Sequence, residues 1–167
     1  PMTVQFFRLL SALVLSSALA VQAHAADFSQ PRAGLHTGGQ PTVEELKTLS
    51  QQGVRTVIDL RAASEDRGFD EAVETGKLGL RYIHLPIANA DDLTPANAAA
   101  LGKALHESDG DVLLHCASGN RVGALLALMA AQQEQATPEQ ALDLGRRAGL
   151  KSLEPQVVRK LQDLATP

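Results

Sequence analysis

The 167-residue chain contains one cysteine, no tryptophan, one tyrosine and four phenylalanines. A single cysteine rules out an internal disulfide, so a folded core has to come from apolar packing. Two of the phenylalanines, Phe6 and Phe7, precede the globular part, which keeps only Phe28, Phe69 and Tyr82. Few aromatics and a net charge of −4 remove both the stacking platforms and the basic face that nucleic-acid binding needs. No apolar run reaches the ~20 residues that span a bilayer. His36, His84, His106 and His115 lack ligand spacing with acids or with the cysteine, so no metal motif is visible. Gly38-Gly39 reads as a turn, with nothing nearby to complete a nucleotide fingerprint. No internal repeat or low-complexity linker interrupts the chain, and no cofactor is implied.

The N-terminus has the three parts of a secretory signal. Arg8 precedes an apolar core from Leu9 to Val21, and Ala23-His24-Ala25 forms a small-x-small cleavage site. Residues 1–25 are therefore expected to be a removable leader and 26–167 a single domain. Export would place that domain in the periplasm or outside the cell, with no stable membrane insertion after cleavage. Without Arg8 the domain carries a net charge of about −5. A free thiol in an oxidising compartment is a liability unless buried or useful.

Asp27 to Ala33 reads as an irregular lead-in, followed by a short strand from Gly34 into the glycine turn. Thr42 and Glu45 form a capping box for a helix ending near Gly53. Val54 to Leu60 is a buried strand by its β-branched content. A polar loop, a short helix from Glu71 to Lys77 and a strand from Leu80 to Leu85 follow. Thr94-Pro95 and Thr137-Pro138 each open a helix with a cap and a proline at the first helical position. Asp111 to Cys116 is the central strand. Arg121 to Gln133 is a largely apolar helix, and Glu154 to Leu164 is the last one. Strands alternating with helices predict an α/β domain with a mainly parallel sheet.

The chemistry concentrates at Cys116-Ala117-Ser118-Gly119-Asn120-Arg121. An apolar strand runs into the only cysteine, a small-residue loop follows, and an arginine opens a helix. A thiol attacks as its thiolate, which a helix N-terminus and a neighbouring cation both favour. Successive loop N–H groups form a concave anion site, and Gly119 can adopt a positive φ to shape it. Arg121 offers a planar fork for two oxygens of a tetrahedral anion. The loop is thus suited to covalent catalysis by sulfur on phosphorus or sulfur centres. Cys116 is expected to be partly accessible, with Ala117, Ser118, Gly119 and Asn120 binding substrate. The bland alternative is a buried cysteine acting as a small hydrophobe. His115, on the opposite face of the strand from Cys116, is expected to hydrogen-bond behind the loop.

His115-Cys116, Gly119 and Arg121, together with LHTGGQPTVEELKTLSQQGVRTVIDLR, YIHLPI and VLLHCASGNR, resemble bacterial phosphatases of the dual-specificity and tyrosine type. The branch they resemble is related to the N-terminal part of beta-lactamase-hydrolase-like proteins, and the resemblance spans roughly residues 34–150. It implies a cysteine-phosphatase-like fold, a four- to five-stranded sheet flanked by helices, acting on a phosphorylated protein or small molecule. It also implies a general acid upstream of the cysteine strand. Asp92 is the choice by position, with its neighbour Asp91 and a helix-capping role as alternatives. Arg61 and Glu65 are expected to pair beside the loop. Four residues separate Cys116 from Arg121, where tyrosine phosphatases usually have five, and rhodanese-type sulfurtransferases share the shorter spacing. Val122 stands where such phosphatases usually place a hydroxyl that helps the thiolate leave, so a slow second step is expected. Three functions stay open: a phosphomonoester hydrolase working through a cysteinyl phosphate, a sulfurtransferase carrying a Cys116 persulfide, and a non-catalytic anion-binding module. The sequence leaves the oligomeric state and the physiological substrate open.

Overall fold

A computed structural model describes residues 28–165; the expected leader, 1–25, lies outside them. Five strands form one sheet: β1 (Ser29–Arg32), β2 (Leu35–Gly38), β3 (Val54–Asp59), β4 (Arg81–His84) and β5 (Asp111–His115). Their spatial order is β1-β2-β5-β3-β4. The pairs β2/β5, β5/β3 and β3/β4 are parallel, and only β1 runs antiparallel, against β2. The described residues also form six α-helices: α1 (Val43–Gln51), α2 (Glu71–Lys77), α3 (Pro95–His106), α4 (Asn120–Gln133), α5 (Pro138–Ala148) and α6 (Glu154–Ala165). The sheet is the mainly parallel one expected, with five strands. None of the described helices is long and apolar enough to cross a membrane.

Strand residues alternate between two cores, as the pleat dictates. Ile58, Leu60, Val112, Leu114 and Cys116 join the larger core with α3 to α6. Val57, Leu113 and Leu80 join a smaller core with Leu46 and Leu49 of α1. Helix α4 is buried continuously from Val122 to Ala130, which is why its sequence lacks a polar stripe. It crosses α5 at two glycines: a Cβ on Gly123 would lie 2.4 Å from the Gly145 carbonyl oxygen. The Thr42/Glu45 capping box and the Thr94 and Thr137 caps form as expected.

One correction falls at the start. Residues 29–32 are a strand, not an irregular lead-in. Ser-Gln-Pro-Arg carries no alternating apolar signal, and its pairing is irregular, Ser29 opposite Thr37 and Arg32 opposite Leu35. Proline is tolerated there because β1 is an edge strand.

Candidate active site

The C-terminal ends of β2, β5, β3 and β4 converge, the usual ligand-binding edge of a parallel sheet. At that edge the chain leaves β5 through Cys116 and turns into α4. The Cys116 N–H donates to the Gly38 carbonyl at 3.3 Å, and the Gln40 N–H donates to the Ala117 carbonyl at 3.1 Å. These bonds hold the loop against the end of β2. Gly119 takes φ = 90°, a left-handed conformation that side chains disfavour. Its N–H then points at the Cys116 Sγ, 3.1 Å away. Its carbonyl accepts from the Gly123 N–H at 3.0 Å, opening α4. The sulfur therefore accepts from a loop amide at the N-terminus of α4, a position that favours an anion.

Cys116 is fully buried, which corrects the expectation of partial access. Its side chain continues the inward-facing row of β5 into the larger core. Ala117 and Ser118 are exposed, whereas Gly119 is buried. The loop is backed by the turn after α5. There Gly149, at φ = 117°, passes so close that a Cβ would lie 2.9 Å from the Gly119 carbonyl oxygen. The side chain of Asn120, a substrate-binding candidate by sequence, is engaged by residues 151–153. Its Oδ1 accepts from the Lys151 and Leu153 N–H groups at 2.8 and 3.3 Å, and its Nδ2 donates to Ser152 Oγ at 2.7 Å. Only its backbone is left for the loop.

Arg121 lies at the first turn of α4 with its fork on Glu65. Nη1 donates to Oε1 at 2.5 Å and Nη2 to Oε2 at 2.7 Å. Nη1 also donates to the Ile87 carbonyl at 2.8 Å. The Glu65 hydrogen bond raises the Arg121 pKa; burial opposes this, and the Cys116 sulfur beside it raises it further. The same bond lowers the Glu65 pKa, with burial opposing and the Ala62 N–H assisting. Glu65 thus belongs to Arg121, not to Arg61 as expected. The β3–α2 loop carries Glu65 under α4, while Arg61 turns inward.

Arg61 is fully buried. Its Nε and Nη2 each donate to Asp59 at 2.9 Å, and Nη2 also donates to Glu71. Burial would raise the Asp59 pKa, but the Arg61 hydrogen bonds, His115 and Tyr82 bring it down to about 2. Burial pushes the Tyr82 phenol up, and its 2.7 Å hydrogen bond to Asp59 pushes it further. Arg67 adds a second guanidinium, with Nη1 3.0 Å from Asp59. Asp59, Glu71 and His115 bring ligand-type atoms within 4.8 Å of one another. The Arg61 guanidinium already bridges the two carboxylates, so this donor set does not fit a metal cation. His115 lies behind the loop as expected, with Nε2 2.7 Å from Glu71 Oε1 and Nδ1 3.2 Å from the Cys116 carbonyl.

Asp92 sits in a 3-10 turn, Ala90–Asp92, after β4. Its Oδ2 accepts from the Ala88 N–H at 2.7 Å, and its carbonyl accepts from Asn97 Nδ2 at 2.7 Å. Asp91 is exposed, and its N–H donates to Asn89 Oδ1 at 2.8 Å. The carboxylates that sequence reasoning missed at the site are Glu65, as the Arg121 partner, and Glu71. Glu71 reads in sequence as an ordinary first-turn acid, and its partner His115 lies 44 residues away, beyond any local pattern.

Residues 18–159 match the model of the family described as DSP-PTPase phosphatase fused to NAD+ kinase. The chain belongs to this family. The matched segment is of the tyrosine- and dual-specificity-phosphatase type. The Beta-lactamase hydrolase-like protein of Xylella fastidiosa is 34% identical over 98 residues, 56% of this chain and 22% of the relative. The protein of the same description from Agrobacterium fabrum is 28% identical over 119 residues, 69% of this chain and 27% of the relative. The chain therefore spans about a quarter of the length of these curated relatives. Among solved structures, one from Neisseria meningitidis matches with a TM-score of 0.68 at 19% identity, covering 82% of this chain and 97% of that one. P. aeruginosa TpbA in complex with pTyr matches at 0.59 and 19% identity, covering 87% and 99%. At these identities the structural likeness establishes the cysteine-phosphatase fold.

Proposed function

We propose that the chain is an exported phosphatase that hydrolyses phosphomonoesters through a cysteinyl-phosphate intermediate. A protein phosphotyrosine is the first substrate class to test. The observation that carries this reading is the Gly119 N–H directed at the Cys116 sulfur, 3.1 Å away, with Arg121 fixed beside it by Glu65. Cys116 attacks phosphorus. The loop amides from Ala117 to Arg121 and the Arg121 guanidinium take the charge that develops on the equatorial oxygens. Asp92 donates a proton to the leaving oxygen. Its bond from the Ala88 N–H orients the carboxyl group and leaves Oδ1 without a hydrogen bond among the described residues. Water then attacks the phosphocysteine. Val122, buried and apolar, offers no hydroxyl to the departing sulfur, so this second step is slow. TpbA with its bound pTyr supports an aryl phosphate substrate by likeness of fold, and export rests on the leader sequence around Arg8 and Ala25.

The four-residue loop keeps one competing reading in view, a sulfurtransferase with a Cys116 persulfide. Asp92→Asn separates the two. As general acid, Asp92 contributes ~10²–10⁴-fold to hydrolysis of alkyl phosphates and much less for activated aryl esters, whose leaving groups need no proton. The expected result is p-nitrophenyl phosphate turnover that survives Asp92→Asn, alkyl phosphate turnover that collapses, and negligible thiosulfate-to-cyanide transfer. Strong sulfur transfer without phosphatase activity would overturn the proposal.

A further inference from the structure

The Gly38-Gly39-Gln40-Pro41 turn, between β2 and α1, has no part in the reaction as written, yet it lies directly against the catalytic loop. A Cβ on Gly39 would sit 2.7 Å from the Ala117 carbonyl oxygen, and Gly39 bridges to Ser118. A residue without a side chain lets the two backbones come this close. Gln40 precedes a proline, which favours an extended backbone. Its N–H donates to the Ala117 carbonyl at 3.1 Å. Its side chain reaches the β3–α2 loop, where Nε2 donates to the Arg67 carbonyl at 2.9 Å. One residue therefore bonds to two loops, the one carrying Cys116 and the one carrying Glu65.

We propose that Gln40 is a positioning residue: it locks the loop bearing Glu65 to the catalytic loop, so that Arg121 meets the phosphoryl group in one fixed orientation. This rests on the phosphatase reading for its functional meaning, though not for its geometry. Within the β3–α2 loop Glu65 is held by local bonds. Its N–H donates to the Ala62 carbonyl at 3.1 Å, and its Oε1 accepts from the Ala62 N–H at 2.7 Å. Arg67 ties the loop to the sheet through its guanidinium, with Nη1 3.0 Å from Asp59 and 2.9 Å from the Tyr82 hydroxyl. That anchor lies at the far end of a long side chain and leaves the Arg67 peptide plane free to turn. The next residue, Gly68, takes φ = 68°, and its N–H bonds within the loop, to Asp66 Oδ1 at 2.9 Å. The Gln40 bond fixes this peptide from outside the loop. A circuit then closes around the site. It runs from Ala117 to Gln40, from Gln40 to Arg67, two residues back to Glu65, and from Glu65 to the Arg121 fork at 2.5 and 2.7 Å.

Gln40→Met tests this on the full chain. It keeps the length of the side chain and the backbone N–H, and it removes the donor to Arg67. Hydrogen exchange at the Ala62 and Glu65 amides should accelerate. Inorganic phosphate affinity, read by calorimetry, should fall about fivefold, the order of one hydrogen bond, and kcat/KM for p-nitrophenyl phosphate should fall by a similar factor. The deciding measurement is a double-mutant cycle. If Gln40 acts through Glu65, the same Gln40→Met change made in Glu65→Gln costs little further phosphate affinity, because residues in one network are not additive. A merely structural role gives two independent losses. Additive losses overturn the proposal, and so does unchanged amide exchange, unchanged phosphate affinity in Gln40→Met, or a wild type that binds no phosphate. If Gln40→Met fails to fold, Gln40→Glu carries the same test: one atom changes, and the Arg67 carbonyl then faces an oxygen in place of an N–H. If exchange and the cycle behave as expected while no phosphate ester is hydrolysed, the positioning role stands and the phosphatase reading fails.

Discussion

Replacing Glu65 with glutamine probes how Arg121 is held. The pair is bidentate at 2.5 and 2.7 Å, with side chains 14% and 28% exposed. Breaking a fully buried pair costs ~3–5 kcal/mol, while an exposed pair contributes ~0–1 kcal/mol. A two-bond pair at this depth lies between, at about 2 kcal/mol. The Arg121 bond lowers the Glu65 pKa from its usual 4.5, with burial opposing. Its stabilisation is therefore complete above about 4.5 and is lost as pH falls through the lowered folded value. Urea unfolding at neutral pH should show Glu65→Gln less stable by about 2 kcal/mol, and the gap should narrow as pH falls below 4.5. Inorganic phosphate binding, followed by calorimetry, should weaken about tenfold or more as Arg121 loses its fixed orientation. Equal stability and equal phosphate affinity in the two proteins would refute the idea that Glu65 orients Arg121.

Three further outcomes follow from the packing and the charges. Gly123→Ala places a Cβ 2.2 Å from the Leu150 nitrogen and 2.4 Å from the Gly145 carbonyl oxygen; both are backbone, so α4 and α5 must separate, and urea unfolding should show a loss of about 2–3 kcal/mol. Asp59, with its pKa brought from 3.8 to about 2, gives stability that is present above 3.8 and lost as pH falls through about 2; acid titration of Asp59→Asn against wild type should find about 2 kcal/mol disappearing in that window. Asn120→Ala removes three hydrogen bonds to residues 151–153, so hydrogen exchange at the Lys151 and Leu153 amides should accelerate; unchanged protection would show that Asn120 does not tie this turn to the loop.

Sequence and structure agree where the signal is local. Thr42 with Glu45, Thr94-Pro95 and Thr137-Pro138 each announce a helix start through bonds spanning three residues, and all three form. The buried strands β3 and β5 are legible from β-branched and leucine content. The strand–loop–helix around Cys116 is legible because the single cysteine, Gly119 and Arg121 fall together. What the sequence hides is long-range partnership among charges. Glu65 can face Arg61 or Arg121, and the choice depends on how the β3–α2 loop folds. Asn120 reads as a loop ligand until the α5–α6 turn is seen to occupy its side chain. Burial of Cys116 follows from the sheet facing the larger core, and composition does not reveal it. The polar strand β1 forms only because β2 offers it an edge.

The central claim is that Cys116 takes up phosphate. The most direct test mixes the protein with p-nitrophenyl phosphate, quenches the reaction in acid within the first turnover, and reads the peptide carrying Cys116 by mass spectrometry. Slow hydrolysis past Val122 should let a phosphate adduct accumulate on that peptide in near-stoichiometric amount, alongside a burst of nitrophenol. The adduct should be absent from Cys116→Ser. Steady release of nitrophenol with no phosphate on Cys116, or a sulfur adduct formed from thiosulfate in its place, would contradict it.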